Sequence, residues 1–96
     1  MQYTVYYSQE AINDLQQVRA YDRSAIVGGI DATLAVNPTM VSKAKVKKLV
    51  QPTVAMYRLR VNRFRVLYDV DEADCEVEIV RILEKPDAIQ LLAGGP

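Results

Sequence analysis

The fold is decided by one stretch of twelve residues, Tyr57-Arg58-Leu59-Arg60-Val61-Asn62-Arg63-Phe64-Arg65-Val66-Leu67-Tyr68. Asn62 tolerates the positive φ of a two-residue hairpin turn, so the stretch predicts two antiparallel strands with Arg60 opposite Arg65. Because side chains alternate across a sheet, one face becomes apolar and the other carries arginines. The apolar face holds Tyr57, Leu59, Val61, Phe64, Val66 and Tyr68, and the opposite face holds Arg58, Arg60 and Arg65.

The sequence on either side of this hairpin extends the sheet. Apolar and β-branched residues predict strands at Val54–Val61, Phe64–Val70 and Cys75–Leu83, joined as an antiparallel meander. Near the start of the chain, Tyr3–Tyr7 is aromatic and β-branched and predicts a separate strand. Residues 39–53 hold a lysine cluster and a proline, and predict a loop or an irregular helix end.

Two amphipathic helices are predicted between the first strand and this loop. Ser8 is a suitable N-cap for a helix over residues 9–20, whose apolar side chains recur at helical spacing. Asp22 or Ser24 caps a second helix, which ends before Pro38 because the residue preceding a proline avoids helical geometry.

The expected fold is therefore α+β, with an N-terminal strand, a helical hairpin and a three-stranded antiparallel meander in the order β-α-α-β-β-β. The helices are expected to cover one face of the sheet. A chain of 96 residues has room for one compact core, so residues 1–96 are expected to form a single domain. We expect about residues 93–96 to be mobile, because the chain ends in Gly-Gly-Pro.

Positive charge is concentrated in the middle of the chain, although the net charge is zero. The 37 residues from Ala32 to Tyr68 contain no aspartate or glutamate. A block of this kind produces a one-sided electrostatic field, which is typical of a face that binds a polyanion. The alternative is a solvated basic surface that keeps the protein soluble. The cations of this block are Lys43, Lys45, Lys47, Lys48, Arg58, Arg60, Arg63 and Arg65.

The composition excludes several classes of function. There is no histidine, so Ser-His-Asp and Cys-His triads and histidine zinc sites are ruled out, and with Cys75 the only cysteine no metal or other cofactor is expected. A lone cysteine also leaves no internal disulfide, which favours a reducing compartment. We find no secretory signal and no run of about 18 apolar residues. The expected location is the cytoplasm, with no membrane partner.

The arginine face of the hairpin is unfavourable for folding. Arg60 and Arg65 lie directly opposite each other, and like charges in that position destabilise a sheet. Arginine is also the side chain best suited to forked recognition of phosphate or carboxylate. The alternative is a set of solvated arginines on an open sheet face. If the face does bind an anion, the pattern leaves open whether that anion is nucleic acid or an acidic protein segment.

Several segments of the sequence resemble the RelE/ParE toxin family, and they occur in the same order as in the family. Residues 57–70 resemble its central hairpin, "YRLRVGDYRVLYDV", and Lys47-Lys48-Leu49 resembles the "KKL" that precedes it. Residues 3–15 resemble the opening "Y-x-V-x-[FY]-S-x-x-A-x-x-D-L", and residues 75–82 resemble the last strand, "V-x-V-x-x-I". The resemblance covers about residues 3–87 and implies the toxin of a type II toxin–antitoxin system.

RelE-like members are metal-independent endoribonucleases that cut messenger RNA on the ribosome with basic side chains. The resemblance implies that Arg58 and Arg60 are basic catalytic residues and that Arg65 binds phosphate. The family's ending, "I-x-H-R-x-x-x-Y", reads differently here. Lys85 takes the place of the arginine, and Ile89 takes the place of the tyrosine. The catalytic set predicted for this chain is Arg58, Arg60, Arg65 and Lys85.

Residues outside the predicted catalytic set are expected to contact binding partners. We expect a cognate antitoxin to contact the apolar tail, and the ribosome and its message to contact further cations. Two alternatives remain open: ParE-like members share the fold but inhibit DNA gyrase, and a toxin fold without activity would persist as a binding module. The predicted antitoxin contacts are Ile89, Leu91 and Leu92, and the predicted nucleic-acid contacts are Lys45, Lys47, Lys48, Arg63 and Arg81.

Overall fold

The structure, a computed structural model, describes residues 2–94. The predicted order of strand, two helices and meander is confirmed, and the structure adds a strand before the meander and a helix after it. Of the tail expected to be mobile, residues 93 and 94 end that helix, and residues 95 and 96 lie outside the described residues. In chain order the elements are β1 (Thr4–Tyr7), α1 (Gln9–Gln16), α2 (Ala20–Gly29), a π-helical turn (Ile30–Leu34), β2 (Val46–Lys48), β3 (Tyr57–Val61), β4 (Phe64–Asp71), β5 (Glu76–Glu84) and α3 (Lys85–Gly94).

Ser8 marks the point where β1 ends and α1 begins. Its hydroxyl accepts a hydrogen bond from the Ala11 backbone N–H at 3.0 Å, which makes it the predicted N-cap. The same hydroxyl donates to the Val80 carbonyl at 2.8 Å. A cap of this kind stabilises a helix by about 1 kcal/mol. Ser8 therefore both starts the helix and ties it to β5.

The helix predicted over residues 9–20 is shorter in the structure. α1 ends at Gln16, and the chain turns before α2 begins at Ala20. At this break the guanidinium of Arg23 donates to the Leu15 carbonyl at 3.2 Å and to the Val18 carbonyl at 3.0 Å. The carbonyl of Leu15 in α1 and that of Val18 in the turn after it are thus satisfied without a further helical turn.

The second helix also begins earlier than predicted. Neither Asp22 nor Ser24 caps it; Arg19 is the N-cap residue and makes no side-chain hydrogen bond there. The helical segment that begins with α2 ends with the π-helical turn, a few residues before Pro38. A β-carbon placed on Gly29 would lie 3.0 Å from Cγ2 of Val61, so this glycine allows α2 to approach β3 closely.

The five strands form one sheet in the order β1-β5-β4-β3-β2. β1 runs parallel to β5, and the other neighbours are antiparallel. The hairpin register is the predicted one, with Arg60 opposite Arg65 and Tyr57 opposite Tyr68. The turn residue Asn62 has φ 54°, as the two-residue turn requires.

Five strand boundaries and one loop prediction are wrong in detail. β1 begins at Thr4 rather than Tyr3. β3 begins at Tyr57 rather than Val54, because the Met56 backbone N–H donates to the Asp69 carboxylate at 2.8 Å instead of to a strand carbonyl. β4 ends one residue later than predicted, and β5 is displaced by one residue. Part of the region predicted as a loop forms β2, whose residue Lys47 pairs with Arg58.

The core lies between the sheet and the helices α1 and α2. Tyr68 is fully buried within it and stacks on Tyr57, with ring centroids 5.4 Å apart. Its hydroxyl donates to the Pro38 carbonyl at 2.6 Å, and burial raises its pKa. The residues that fill the core are Ala11, Ile26, Ile30, Leu34, Val46, Tyr57, Leu59, Phe64, Val66, Tyr68, Val70, Val77, Ile79 and Ile82.

The opposite sheet face is not left open, because α3 packs against it. Leu67 points to the same side as Arg65 by strand alternation, yet it is fully buried. Ala88 of α3 is also buried, at 1% exposure. The helical hairpin covers one face of the sheet, as predicted, and α3, which the sequence did not predict, covers part of the other. Among the described helices, none is long and apolar enough to cross a membrane.

Candidate functional site

The register of β3 and β4 brings the predicted catalytic arginines together. Arg60 lies opposite Arg65, while Arg58 lies between Lys47 on β2 and Leu67 on β4. Neighbouring strands are about 5 Å apart, so three adjacent strands place these cations within roughly 10 Å. The arrangement follows from alternation and register alone.

These cations line a cleft of about 340 Å³ between the sheet and α3, which we call the cationic cleft. The sheet and the loop before β2 supply its basic walls, and α3 supplies Lys85 together with an apolar wall. Among the lining residues, all of them described, six are cations and none is acidic. The lining residues are Lys43, Ala44, Lys47, Leu49, Arg58, Arg60, Arg65, Lys85, Ala88, Ile89 and Leu92.

Arg65 is the most buried of these cations, at 9% exposure. Its Nη1 donates to the carbonyls of Asn62 at 3.0 Å and Phe64 at 2.9 Å, which hold the guanidinium in place. Burial lowers the pKa of Arg65, and Arg58 and Arg60 lower it further. The folded protein therefore disfavours this charge, although it holds the group rigidly.

Arg58 is half-buried beside Arg65, and its guanidinium is less completely hydrogen-bonded. Its Nη1 is buried and finds no hydrogen-bond acceptor within residues 2–94. Burial lowers the pKa of Arg58, and the neighbouring Arg60 lowers it further. A buried donor without an acceptor costs about 1–3 kcal/mol. An anion in the cationic cleft would supply both the acceptor and the opposite charge.

Four predicted cations lie outside the cationic cleft. Lys45 faces a separate cleft near Asn37 and Met40, and Lys48 is exposed at the end of β2. Arg63 and Arg81 are held by carboxylates elsewhere. Lys43 was not singled out as a site residue, although the charge block already contained it.

Arg63 and Arg81 each belong to a different ion-pair cluster. Arg63 contacts Asp22 at 2.9 Å and Glu84 at 2.7 Å, and both hydrogen bonds raise its pKa. Arg81 forms two hydrogen bonds with Asp14, at 2.8 and 3.1 Å, and these raise its pKa. Counting cations along the sequence does not identify such pairs, because the carboxylates come from α1, α2 and β5.

The three predicted antitoxin contacts lie on two sides of α3. Ile89 and Leu92 line the cationic cleft, whereas Leu91 lies beside Arg81 and Leu83 on the other side of the helix. Ile89 is 54% exposed. α3 therefore presents apolar side chains that the sheet only partly covers.

One group of carboxylates lies close enough together to hold a cation. Oxygens of Asp71, Asp74 and Glu76 lie within 4.8 Å of one another at the β4–β5 turn. The residues are largely exposed, and exposed acidic groups commonly lie together without a metal. This group lies at the β4–β5 turn, at a distance in the sheet from the cationic cleft.

The fold and the cationic cleft together define a small α+β protein with one strongly basic site. A family model described as the ParE toxin of the type II toxin–antitoxin system parDE matches residues 5–87. None of the curated proteins compared with the chain matches it significantly.

Several solved structures are similar to this chain. A chain of the toxin–antitoxin complex RelBE2 from Mycobacterium tuberculosis has a TM-score of 0.77 and 25% identity, covering 88% of this chain and 100% of that one. A chain of the RelE–RelB complex from Pyrococcus horikoshii OT3 has a TM-score of 0.72 and 25% identity, covering 88% and 97%. The isolated E. coli RelE toxin shares the fold, with a TM-score of 0.65 at 11% identity, covering 92% and 96%.

The chain therefore belongs to the ParE toxin family, within the wider RelE/ParE group, and is the toxin of a type II toxin–antitoxin module.

The unsatisfied Arg58 generates a prediction about stability. The substitution Arg58→Met keeps an apolar side chain of similar length. It removes the Nη1 donor that has no acceptor within the described residues, and it removes the repulsion between Arg58 and Arg60. We expect the free energy of unfolding to rise by about 1 kcal/mol, measured by urea denaturation at low salt. Lys48→Met removes an equal charge outside the cationic cleft and is expected to change stability by less than about 0.5 kcal/mol. A less stable Arg58→Met protein would contradict this account.

Proposed function

We propose that this toxin is a cytoplasmic, ribosome-dependent endoribonuclease that cleaves messenger RNA in the cationic cleft. The observation that carries the proposal is the buried Nη1 of Arg58, which has no acceptor among the described residues. It lies in a cleft lined by six cations and no carboxylate within the described chain. A phosphodiester matches such a site in charge and in hydrogen-bonding capacity.

The chemistry suited to this cleft is transesterification within the RNA. The ribose 2′-oxygen forms a bond to its own 3′-phosphorus, and the bond from phosphorus to the 5′-oxygen of the next nucleotide breaks. Negative charge increases on the phosphate oxygens during attack, and fixed arginines stabilise it. Arg65 is the most rigidly held of them, and Arg58 and Arg60 flank it on β3. The ribosome would orient the message.

Two protons must also move, one from the 2′-hydroxyl and one to the leaving 5′-oxygen. Among the described residues that line the cationic cleft, the lysines are the groups suited to this work. Lys85 is the first residue of α3 and faces the arginines from the opposite wall. Ile89 lies on the same wall, where the RelE pattern has a tyrosine. We therefore expect Lys85 to assist proton transfer and the overall rate to be low.

The partner of the toxin is a cognate antitoxin in this proposal. The similar chains from Mycobacterium tuberculosis and Pyrococcus horikoshii come from toxin–antitoxin complexes. The partly covered apolar side chains of α3, including the half-exposed Ile89, offer a hydrophobic contact beside the cationic cleft. An antitoxin segment over Ile89, Leu91 and Leu92 would also close the entrance to the cleft.

Inhibition of DNA gyrase is the second candidate function. It is favoured by the family model, which is that of ParE toxins, and by Ile89 in the position of the RelE tyrosine. A gyrase inhibitor needs no proton transfer, so the apolar wall of the cationic cleft would not impair it.

The nuclease proposal predicts a specific order of activities. With primer extension on translating ribosomes, Arg65→Ala should abolish cleavage, because the fixed phosphate contact is lost. Lys85→Ala should lower the rate, and Ile89→Tyr should raise it, since a positioned acid–base group contributes about 10²- to 10⁴-fold. A gyrase supercoiling assay is run on the same samples. Gyrase inhibition without cleavage would replace this proposal with the second candidate, and neither effect would leave an inactive binding module.

The antitoxin proposal predicts that α3 carries the contact. The adjacently encoded partner should co-purify with the wild-type toxin and relieve its growth arrest. Ile89→Asp should reduce co-purification strongly, because it places a charge in an apolar contact. Tyr21→Asp is the matched control, since Tyr21 is 81% exposed on α2, across the sheet. Equal loss in both variants, or no loss in Ile89→Asp, would show that α3 does not carry the contact.

A further inference from the structure

The turn between β3 and β4 is fastened to two other elements through one side chain. The guanidinium of Arg63 contacts Asp22 of α2 at 2.9 Å and Glu84, the last residue of β5, at 2.7 Å. It also lies 4.6 Å above the ring of Phe64. Asp22 is 4% exposed, so this is a largely buried carboxylate at a helix start. We call Asp22, Arg63 and Glu84 the turn clamp.

The same turn holds the key arginine of the cationic cleft. The two carbonyls that accept hydrogen bonds from Arg65 belong to Asn62 and Phe64, the residues on either side of Arg63. The carbonyl of Arg63 itself accepts from the backbone N–H of Lys85 at 2.9 Å. The backbone carbonyls of three consecutive residues, the two turn residues and the first residue of β4, therefore contact Arg65 and the first residue of α3.

The position of Arg65 needs to be held by neighbouring groups, because burial and the nearby arginines disfavour its charge. It is 9% exposed and lies directly across the sheet from Arg60. Repulsion of this kind favours movement of the guanidinium toward solvent, and within residues 2–94 the carbonyls of Asn62 and Phe64 are the acceptors that restrain Nη1. A shift of about 1 Å in a positioning group is enough to impair recognition or catalysis strongly. The turn clamp contacts this turn through Arg63 and is therefore placed to hold it still.

We propose that Asp22, Arg63 and Glu84 are positioning residues for the phosphate site, acting through Arg65 without touching the RNA. The inference rests on the proposed function, namely that the cationic cleft binds RNA phosphate. It also gives Arg63 a role other than direct nucleic-acid contact. The Asp14–Arg81 pair provides a comparison, because it is also a carboxylate–arginine pair but does not touch the β3–β4 turn.

The test is a double-mutant cycle on RNA affinity. The probe is a fluorescein-labelled 2′-O-methyl hexaribonucleotide, which cannot be cleaved because it lacks free 2′-hydroxyls, and binding is followed by fluorescence anisotropy over a range of salt concentrations. The variants are Asp22→Asn, Glu84→Gln, Arg65→Ala and each carboxylate variant combined with Arg65→Ala. Asp14→Asn is the matched control. Glu84 is half-exposed, so Glu84→Gln tests the clamp even if Asp22→Asn does not fold.

We expect Arg65→Ala to weaken binding by about tenfold or more, as for loss of a charge-assisted hydrogen bond. Asp22→Asn and Glu84→Gln should each weaken binding by at least about threefold and reduce the salt slope toward that of Arg65→Ala, where one phosphate contact contributes about 0.7. In the Arg65→Ala background the carboxylate variants should have no further effect, because independent structural damage would add instead. Asp14→Asn should bind as the wild type does.

Two results would overturn the inference, and they are distinguishable. If Arg65→Ala weakens binding but the folded carboxylate variants bind like the wild type or act additively, the turn clamp is not a positioning device, and the cationic cleft stands. If the wild type shows no salt-dependent binding, or Arg65→Ala leaves it unchanged, the RNA-binding function fails and the inference fails with it.

Discussion

The two-residue turn at Asn62 and Arg63 fixes the register of β3 against β4, and this register decides what each face of the sheet carries. Asn62 adopts the left-handed conformation, at φ 54°, that brings the strands together. A slip of one residue would turn the apolar layer toward the cationic cleft and the arginines toward α1 and α2. The hydrophobic layer therefore enforces the register, and the positions of Arg60 and Arg65 follow from it.

The two faces of the hairpin act on stability in opposite directions. On one face, Tyr68 and its neighbours are buried against the helices and supply the hydrophobic stabilisation. On the other face, Arg60 opposes Arg65, and the buried Nη1 of Arg58 lacks an acceptor within the described chain. Proteins tolerate unfavourable local features mainly where function requires them. The structure is consistent with a fold that is stabilised by one sheet face in order to hold repelling charges on the other.

Local patterns were sufficient to predict the hairpin register, the arginine face and the order of the first helices and strands, because alternation and turn chemistry act between near neighbours. They missed β2, which has three residues and is stabilised by pairing with β3. They also missed α3, although Pro86 in its first turn is compatible with a helix start. Arg63 and Arg81 were assigned to nucleic acid because their carboxylate partners lie 21 to 67 residues away in sequence.

The central claim is that the cleft arginines bind phosphate and that the other arginines serve the fold. Arginine side-chain Nε–Hε signals in a ¹H–¹⁵N NMR titration test it directly, with a 2′-O-methyl oligoribonucleotide as the added ligand. The account predicts that the signals of Arg58, Arg60 and Arg65 shift together and saturably, whereas those of Arg63 and Arg81, held by carboxylates, stay in place. Shifts of Arg63 and Arg81 with the cleft signals unchanged would contradict it.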